Sequence, residues 1–210
     1  FLPPLGAAVF LFCMGSSISA GRGFSAPEGK SAVAFIGDST FFLSGMTGLV
    51  NAVFNRHDIL VVILDNGTTA MTGHQPNPGV AQDVLGDGCV HLDIESIVKG
   101  CGVPSIAKVR GYNLKSLQKH LQEFKEQNGV RVLIVEEPCV LFARRTLKKA
   151  RAQRAYVAEQ NESARACLEN FACPAFRCEG EQIGVDEELC AGCMVCMQLS
   201  PSFKARKRGE

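Results

Sequence analysis

The chain has almost no net charge and lacks an uninterrupted run long enough to cross a membrane. Its 22 Lys and Arg residues nearly balance 21 Asp and Glu residues, so no electrostatic attraction toward nucleic acid is expected. Residues 1–20 carry no charge. Prolines, glycines and serines interrupt them and no basic segment precedes them, which argues against a signal peptide or a span of ~20 apolar residues.

An initiator methionine and a visible internal repeat are also missing. The sequence starts with Phe1, and two interpretations stay open, a fragment of a longer protein and a separate subunit. At ~100–200 residues per domain, a chain of this length forms one or two domains. Neither composition nor length indicates a function, which has to be sought in local motifs.

Short apolar runs alternate with helical patterns along the first two thirds of the chain. The continuous runs, typical of strands buried on both faces of a parallel sheet, are residues 32–37, 59–64 and 131–135. The segments with helical spacing or end signals are residues 45–55, 93–100 and 114–127. This alternation predicts an α/β fold with a doubly wound, mostly parallel sheet that binds ligands at the carboxyl ends of its strands.

The composition changes after residue 143, and this change predicts three parts. Residues 1–143 are expected to form the α/β domain. Residues 144–165 are rich in Arg, Lys, Ala and Gln and are expected to form an exposed linking helix. Residues 166–210 are rich in cysteine and are expected to form a small module that metal holds together instead of a large core.

Polar turns follow the first two predicted strands, at Gly37–Thr40 and Asp65–Thr68. The Asp38 carboxylate, the Asn66 amide oxygen and the Thr68 carbonyl are hard oxygen ligands of the kind that Mg²⁺ prefers. Small residues that let backbone N–H groups approach a diphosphate are Ser39, Thr40, Thr72 and Gly73. Turn chemistry explains each turn alone, but the pair, each member after a buried strand, favours a metal–diphosphate site.

Longer strings in this region resemble one enzyme family. The strings 13–18, 37–42, 44–48 and 68–78 are similar to the large subunit of indolepyruvate:ferredoxin oxidoreductases, a resemblance that covers roughly residues 1–140. It implies a thiamine-diphosphate-binding fold, with Mg²⁺ bound by the side chains of Asp38 and Asn66 and the carbonyl of Thr68. The residues it implies around the cofactor are Gly15, Ser16, Asp38, Ser39, Thr40, Asn66, Thr72 and Gly73. Leu43 stands where this family often has histidine. If that histidine contacts substrate or transfers protons in the family, this chain handles its substrate differently.

His74 is the only histidine in the motif region of the sequence, and two roles are open for it. One is a turn residue bonded to backbone. The other is a catalytic proton donor near the reacting carbonyl, which suits an imidazole with an unperturbed pKa near ~6.5. The geometry of the site has to decide between them.

The cysteines crowd into the last part of the chain. Cys190-x-x-Cys193-x-x-Cys196 matches the three-cysteine run of bacterial ferredoxins, in which a Cys-Pro elsewhere in the module completes the cluster. Cys173-Pro174 supplies that dipeptide here. We therefore predict one [4Fe–4S] cluster on Cys173, Cys190, Cys193 and Cys196, in a ferredoxin-like module. A four-cysteine zinc site is the alternative.

A second cluster is predicted to be lost. In two-cluster ferredoxins the fourth cysteine of each run binds the other cluster. The corresponding positions here are Asn161, Ala164, Cys167 and Ser200, and only one of them is a cysteine.

Together the two sites predict an oxidoreductase. The resemblance implies an aryl 2-oxoacid substrate of the indolepyruvate type. Thiamine diphosphate would supply the electron sink for its oxidative decarboxylation. Coenzyme A would accept the acyl group, and an external ferredoxin would accept the electrons. Three alternatives remain open. They are a pyruvate or 2-oxoglutarate:ferredoxin oxidoreductase component, a non-oxidative thiamine-dependent decarboxylase, and a non-catalytic ferredoxin-like electron carrier.

The resemblance also implies further parts. An upstream pyrimidine-binding domain would supply the glutamate that activates the cofactor, and a smaller second subunit would complete the enzyme. The chain alone is expected not to turn over. A cytoplasmic location in an anaerobe follows from the same resemblance, and neither a membrane nor a nucleic acid is expected as partner.

Overall fold

The structure is a computed structural model that describes residues 6, 10–25, 27, 29–145, 147–148 and 151–208. Contacts divide the chain into a larger unit, Leu11–Leu147, and a smaller one that contains the described residues from Lys148 onward. The domain limits at 143 and 165 stay predictions. No helix within the described ranges is long and apolar enough to cross a bilayer. Part of the uncharged segment 1–20, residues 1–5 and 7–9, lies outside the described residues.

A four-stranded parallel sheet is the centre of the larger unit. Its strands are β1 (Ala32–Gly37), β2 (Ile59–Asp65), β3 (Ser105–Arg110) and β4 (Val130–Glu136). Their order is β1-β2-β4-β3, and every neighbouring pair is parallel. Asp65 lies beside Glu136 in the register, and Gly37 lies beside Leu64. The turns after β1, β2 and β4 therefore share one edge of the sheet, as the sequence predicted.

Six helices accompany the sheet in the described part of this unit. They are α1 (Ser17–Ser25), α2 (Asp38–Thr40), α3 (Met46–Phe54), α4 (Ile94–Gly100), α5 (Leu114–Lys125) and α6 (Val140–Arg145). A π-helical turn, Phe41–Gly45, joins α2 to α3 without a break.

Both faces of the sheet are apolar because its central strands are covered on both sides. Ile59, Val61 and Ile63 of β2 pack in one core with side chains from α1, α3 and α4. Leu60 and Val62 point the other way and pack in a second core with α5. Each such side chain contributes about 1.5–3 kcal/mol by leaving water. The α/β fold class and the doubly wound parallel sheet are thereby confirmed.

One ion pair closes the sheet at the edge opposite the polar turns. Arg131 of β4 is 1% exposed, and its Nη2 donates to Asp58 Oδ1 at 2.6 Å and to Ser31 Oγ at 2.7 Å. Its Nη1 donates to the carbonyl of Phe124 at 3.0 Å. The pair is structural, since it joins the starts of β2 and β4 to the end of α5.

The smaller unit has the element order βαββαβ. Its elements are β5 (Gln153–Val157), α7 (Glu162–Phe171), β6 (Phe176–Glu179), β7 (Gln182–Val185), α8 (Val195–Leu199) and β8 (Phe203–Lys207). β5 pairs with β8 and β6 with β7, both antiparallel. Phe176 stacks on Phe203 at 5.2 Å in a small core that includes Cys167, Cys190 and Cys196. A ferredoxin-like module stays a prediction.

The linking helix predicted over residues 144–165 is wrong. Helix α6 ends at Arg145, strand β5 occupies Gln153–Val157, and α7 starts at Glu162. Ala155 is 3% exposed because β5 pairs with β8 over the core of the small unit. Pairing with a strand 50 residues away in this register overrides a local composition that favours helix.

Candidate functional site

The Asp38 carboxylate is the centre of the polar edge of the sheet. It is 2% exposed and lies at the first position of α2, directly after β1. Oδ1 accepts the Ser39 N–H at 2.8 Å, and Oδ2 accepts the Gly67 N–H at 2.9 Å. Asp38 forms no ion pair with a cationic side chain in the part of the chain that the structure describes. Among the described residues, only N–H donors contact this buried carboxylate. No cationic side chain therefore competes with a metal ion for it.

The turn after β2, which contains the other two predicted Mg²⁺ ligands, is hydrogen-bonded to Asp38 through Gly67. Asn66 Oδ1 accepts the Thr68 N–H at 3.0 Å, and the Gly67 N–H fixes this turn to Asp38. Thr68 is 1% exposed, and among the described residues nothing donates to its carbonyl. A buried carbonyl without a donor is rare, and it fits the oxygen ligand that the sequence predicted for Mg²⁺.

Asn77 belongs to this site, and the sequence interpretation missed it. Its side chain is buried, donates through Nδ2 to Asp38 Oδ2 at 3.1 Å, and accepts the Gly79 N–H at 2.9 Å. The Asn77-Pro78 dipeptide was visible as a turn signal. Nothing in the sequence alone places it against a carboxylate 39 residues earlier.

Asp65 was also missed. Burial raises the pKa of Asp65, and the charges of Asp38 and Glu136 raise it further, while the Gly67 N–H and Lys108 lower it. Carboxylates that repel each other in this way make a bound cation at this edge favourable. A cavity of about 170 Å³ opens beside the turn; its lining includes Asp65, Asn66, Gly67, Gly79, His91, Asp93, Lys108 and Glu136.

The loop that contains Gly15 and Ser16 packs on the π-helical turn. Gly15 has φ +86°, and a Cβ there would lie 2.0 Å from Ser44 Oγ, so only glycine fits. Ser16 Oγ donates to the Cys13 carbonyl at 2.7 Å, and Ser44 Oγ donates to the Thr40 carbonyl at 3.3 Å. The structure thus brings three predicted cofactor residues, Gly15, Ser16 and Thr40, into one neighbourhood. π-helical turns inside helices occur often at functional sites.

Thr72, Gly73 and His74 lie in a closed turn between Thr69 and Gln75. Thr72 Oγ1 and Gln75 Oε1 are 2.7 Å apart, and Gln75 Nε2 donates to the Thr72 carbonyl at 2.7 Å. Gly73 has φ +120°. Within the described ranges no hydrogen bond joins Thr72 or Gly73 to Asp38. These two residues form a rigid turn next to the predicted metal ligands rather than part of their hydrogen-bond network.

His74 is held by side chains from the start of α6. Its Nε2 lies 3.5 Å from Cys139 Sγ, and its ring stacks on Phe142 at 5.9 Å with an interplanar angle of 20°. The Cys139 N–H donates to the Asn66 carbonyl at 3.0 Å. His74 is therefore connected to the predicted metal turn through Cys139, and its imidazole is bonded to a side chain rather than to backbone.

The four predicted cluster ligands share one buried neighbourhood in the smaller unit. Burial, followed by the nearby thiols of Cys193, Cys167 and Cys190, raises the pKa of Cys196 to about 12. Burial also raises the pKa of Cys173, and the nearby thiols of Cys193 and Cys190 raise it further. Among the described residues no three His, Cys, Asp or Glu side chains are grouped closely enough to hold a metal ion. The four ligands of a [4Fe–4S] cluster bind four irons, and so stand farther apart than four sulfurs at ~2.3 Å from one zinc.

The loop between these cysteines contains two residues with left-handed backbone. Gly192 has φ +70° and Met194 has φ +59°. A Cβ on Gly192 would lie 2.6 Å from the Gln153 carbonyl. Close packing against the Gln153 carbonyl and a left-handed backbone therefore require glycine at position 192.

Hydroxyl and amide groups fill the position of the predicted lost cluster. Ser163 Oγ lies 2.8 Å from Ser200 Oγ, and Ser202 Oγ donates to Asn161 Oδ1 at 2.8 Å. Asn161 Oδ1 also caps α7 through the Ala164 N–H at 3.0 Å. Ser200, Ser202 and Ala164 are each at most 1% exposed. The loss of a second cluster at this position stays a prediction, and these buried, hydrogen-bonded side chains are consistent with it.

Residues 4–135 match the family model described as thiamine pyrophosphate enzyme, C-terminal TPP binding domain. The match covers both polar turns and the strands that position them. The chain belongs to the thiamine pyrophosphate enzyme family. Binding of thiamine diphosphate is the property that this domain model describes.

Relatives of this thiamine pyrophosphate enzyme domain match both units of the chain. An indolepyruvate oxidoreductase subunit IorA from Archaeoglobus fulgidus is 38% identical over 200 residues, which are 95% of this chain and 32% of that protein. The IorA of Methanothermobacter thermautotrophicus is 38% identical over 208 residues, 99% of this chain and 33% of that protein. The chain thus spans about a third of the length of these relatives.

A solved structure supports the fold of the family. The 2-oxoglutarate:ferredoxin oxidoreductase from Magnetococcus marinus superposes with a TM-score of 0.55 over 60% of this chain and 46% of that chain, at 15% sequence identity. At that identity the likeness concerns the fold of the thiamine pyrophosphate enzyme domain.

Proposed function

We propose that this chain carries the thiamine diphosphate and Mg²⁺ site of a 2-oxoacid:ferredoxin oxidoreductase that acts on indolepyruvate or a related aryl 2-oxoacid. The observation that carries the proposal is the buried Asp38 carboxylate, fixed by Gly67 and Asn77 and without a cationic partner among the described residues. The IorA relatives, similar over both units, support the choice of substrate class.

Each predicted residue then has a physical role. Asp38 and Asn66 would bind Mg²⁺ through side-chain oxygens, and Thr68 through its carbonyl without a donor. The residues that would line the cofactor are Gly15, Ser16, Ser39, Thr40, Thr72 and Gly73. When bound, thiamine diphosphate supplies the electron sink that decarboxylation of a 2-oxoacid requires. Asn77 keeps the Asp38 carboxylate oriented, because it donates to the same oxygen as Gly67.

His74 would be the proton donor of the site. Its ring is half-buried, stacks on Phe142 and contacts Cys139 through Nε2. These contacts orient the ring and involve only one of its two nitrogens. One ring nitrogen remains to transfer a proton at the reacting carbonyl.

We also propose one [4Fe–4S] cluster on Cys173, Cys190, Cys193 and Cys196. The electrostatic proximity of these buried and half-buried thiols supports it. A bound cluster would accept electrons singly and pass them to an external ferredoxin. The hydrogen-bonded serines around position 200 support a single cluster instead of two.

The remaining partners belong to the same proposal. The relatives are named as a subunit and are about three times as long as this chain. An upstream pyrimidine-binding domain, a smaller second subunit and coenzyme A would therefore complete a cytoplasmic enzyme of an anaerobe.

The activity is tested by anaerobic assembly of the chain with those parts. Indolepyruvate, coenzyme A and oxidised ferredoxin should give arylacetyl-CoA, CO₂ and reduced ferredoxin, and Asp38→Asn should abolish this reaction. Asp87→Asn is the matched control, since Asp87 is exposed on a hairpin and should retain activity. Release of an aldehyde without reduction of ferredoxin would instead indicate a non-oxidative decarboxylase. A preference for pyruvate or 2-oxoglutarate would overturn the aryl assignment.

The cluster is tested by its metal content. The chain purified without oxygen should contain about four irons and four sulfides, and not about eight. Cys193→Ala should lose them, whereas Cys178→Ala should not, because exposed Cys178 donates to its own turn at Gly180. One zinc without sulfide would identify a zinc site, and a full iron load in Cys193→Ala would refute the ligand assignment.

A further inference from the structure

The backbone at His74 is in a conformation that side chains rarely adopt. His74 has φ +66°, in the left-handed region where glycine is favoured. The His74 N–H donates to the Thr69 carbonyl at 3.0 Å, and the Thr69–Gln75 bridge closes the turn. A left-handed residue other than glycine persists where the surrounding structure determines it, often at a functional site.

Two side chains from one short segment hold the imidazole of His74. Cys139 precedes α6 and Phe142 lies three residues later, so both face the same side. Cys139 Sγ lies 3.5 Å from Nε2, and Phe142 covers a face of the ring. The Cys139 contact therefore involves a single ring nitrogen, and the Phe142 contact fixes the orientation of the ring plane.

The contact at Nε2 determines which nitrogen bears the proton. A neutral imidazole has one donor nitrogen and one acceptor nitrogen, and the partner of one sets the state of the other. A thiol can donate its hydrogen to a ring nitrogen or accept from a ring N–H, and the contact of 3.5 Å fits both directions. We infer that the Cys139 thiol donates to Nε2 and that Cys139 is therefore a positioning residue, which holds the neutral ring of His74 in the Nδ1–H tautomer and presents Nδ1–H as a hydrogen-bond donor.

Cys139 also connects this tautomer to the predicted metal turn. Its N–H donates to the Asn66 carbonyl at 3.0 Å, while its side chain contacts His74. One residue therefore fixes the imidazole relative to the turn that would bind Mg²⁺. The geometric part of this inference stands by itself, and its catalytic meaning rests on the proposed function.

The tautomer can be measured without turnover, in the full chain labelled with ¹⁵N-histidine. At about pH 8, above the ordinary imidazole pKa of about 6.5, the ring ¹⁵N shifts of His74 should report Nδ1–H. Cys139→Ala should lose this signature, and Cys139→Ser, which still donates a hydrogen, should keep it. Cys101→Ala is the control, because half-buried Cys101 has no histidine partner among the described residues. An Nε2–H tautomer in the unmodified chain overturns the inference even if Cys139→Ala fails to fold.

The assembled enzyme gives the second readout. Cys139→Ala should lower kcat about tenfold with little change in KM, since a misoriented hydrogen-bond donor affects the chemical step, and Cys139→Ser should restore most of the rate. An unchanged kcat in Cys139→Ala with an altered tautomer would contradict the positioning role. An enzyme without thiamine-dependent activity, but with the Nδ1–H signature, would instead count against the proposed function alone.

Discussion

The polar edge of the parallel sheet and the cysteine loop of the smaller unit differ in how their ligand atoms are arranged. Around Asp38, backbone and amide N–H groups fix the carboxylate, and strands buried on both faces fix those groups in turn. In the smaller unit, neutral thiols are part of a small core with few large side chains. The first site is arranged by the fold before any ligand binds. The second is expected to depend on its ligand for much of its stability.

The largest expected effect is loss of the smaller unit when its cluster is prevented from forming. Metal binding to cysteine ligands contributes directly to folding, on the order of 10 kcal/mol in small metal-dependent domains. Cys193→Ala should therefore abolish hydrogen-exchange protection of Ala155 and Phe203 while Ile63 stays protected. Cys178→Ala should leave all three protected. Equal protection in both variants would show that the smaller unit folds without a cluster.

The ion pair at the opposite edge of the sheet tests the larger unit independently of ligands. Asp58→Ala leaves Arg131 buried and without its carboxylate. Breaking such a pair costs up to about 3–5 kcal/mol, and because Asp58 is a third exposed we expect about 2–3 kcal/mol. Urea unfolding of the larger unit measures this loss. Exposed Asp87→Ala is the control, and an equal loss of stability in the control would contradict the explanation.

Asn77 tests how far the Asp38 site is fixed before the ligand binds. Asn77→Ala removes one of two donors to Asp38 Oδ2. Removal of a group that orients a metal ligand typically lowers affinity 10–100-fold, and we expect about tenfold weaker Mg²⁺-dependent binding of thiamine diphosphate. Asn55→Ala, at an exposed helix end, should bind normally. Unaltered binding by Asn77→Ala would mean that Gly67 and Ser39 orient Asp38 without help.

The smallest effect concerns the pH dependence of the ligand-free larger unit. The pKa of Asp65 is raised above its ordinary value of 3.8 by burial, Asp38 and Glu136. The folded state therefore binds a proton that the unfolded state has released, and stability decreases as pH rises from about 4 through the raised pKa. Asp65→Asn should remove this decrease, measured as the difference in unfolding free energy between the two proteins. A difference that does not change with pH would refute the assigned cause.

Sequence patterns predicted three of the four strands of the parallel sheet and failed at β3 and at the predicted linking helix. Residues 59–64 and 131–135 lie within β2 and β4, whose residues are mostly buried on both faces and therefore apolar. Residues 32–37 coincide with β1, but β1 is an edge strand in which Val33 and Phe35 are exposed, so the expectation of burial on both faces is wrong for it. β3 was missed, since it is an edge strand that contains Lys108 and Arg110 and buries little. The predicted linking helix gave way to β5, whose partner β8 cannot be inferred from local composition.

The candidate site divides in the same way. The polar turns at Asp38 and Asn66 could be predicted to meet, since parallel strands end at one edge. Asn77 and Cys139 could not, because their roles depend on contacts with residues 39 and 65 positions away. Such contacts are set by tertiary packing and leave no periodic signal in a single sequence.

Calorimetric titration of thiamine diphosphate in the presence and absence of Mg²⁺ tests the central claim most directly. The chain should bind thiamine diphosphate only with Mg²⁺, and Asp38→Asn should weaken binding at least ~100-fold, since it removes the charged metal ligand. Asp87→Asn should bind as the unmodified chain does. Binding that is independent of Mg²⁺, or equal in Asp38→Asn and the unmodified chain, would contradict the proposal that the polar edge of the sheet is the cofactor site.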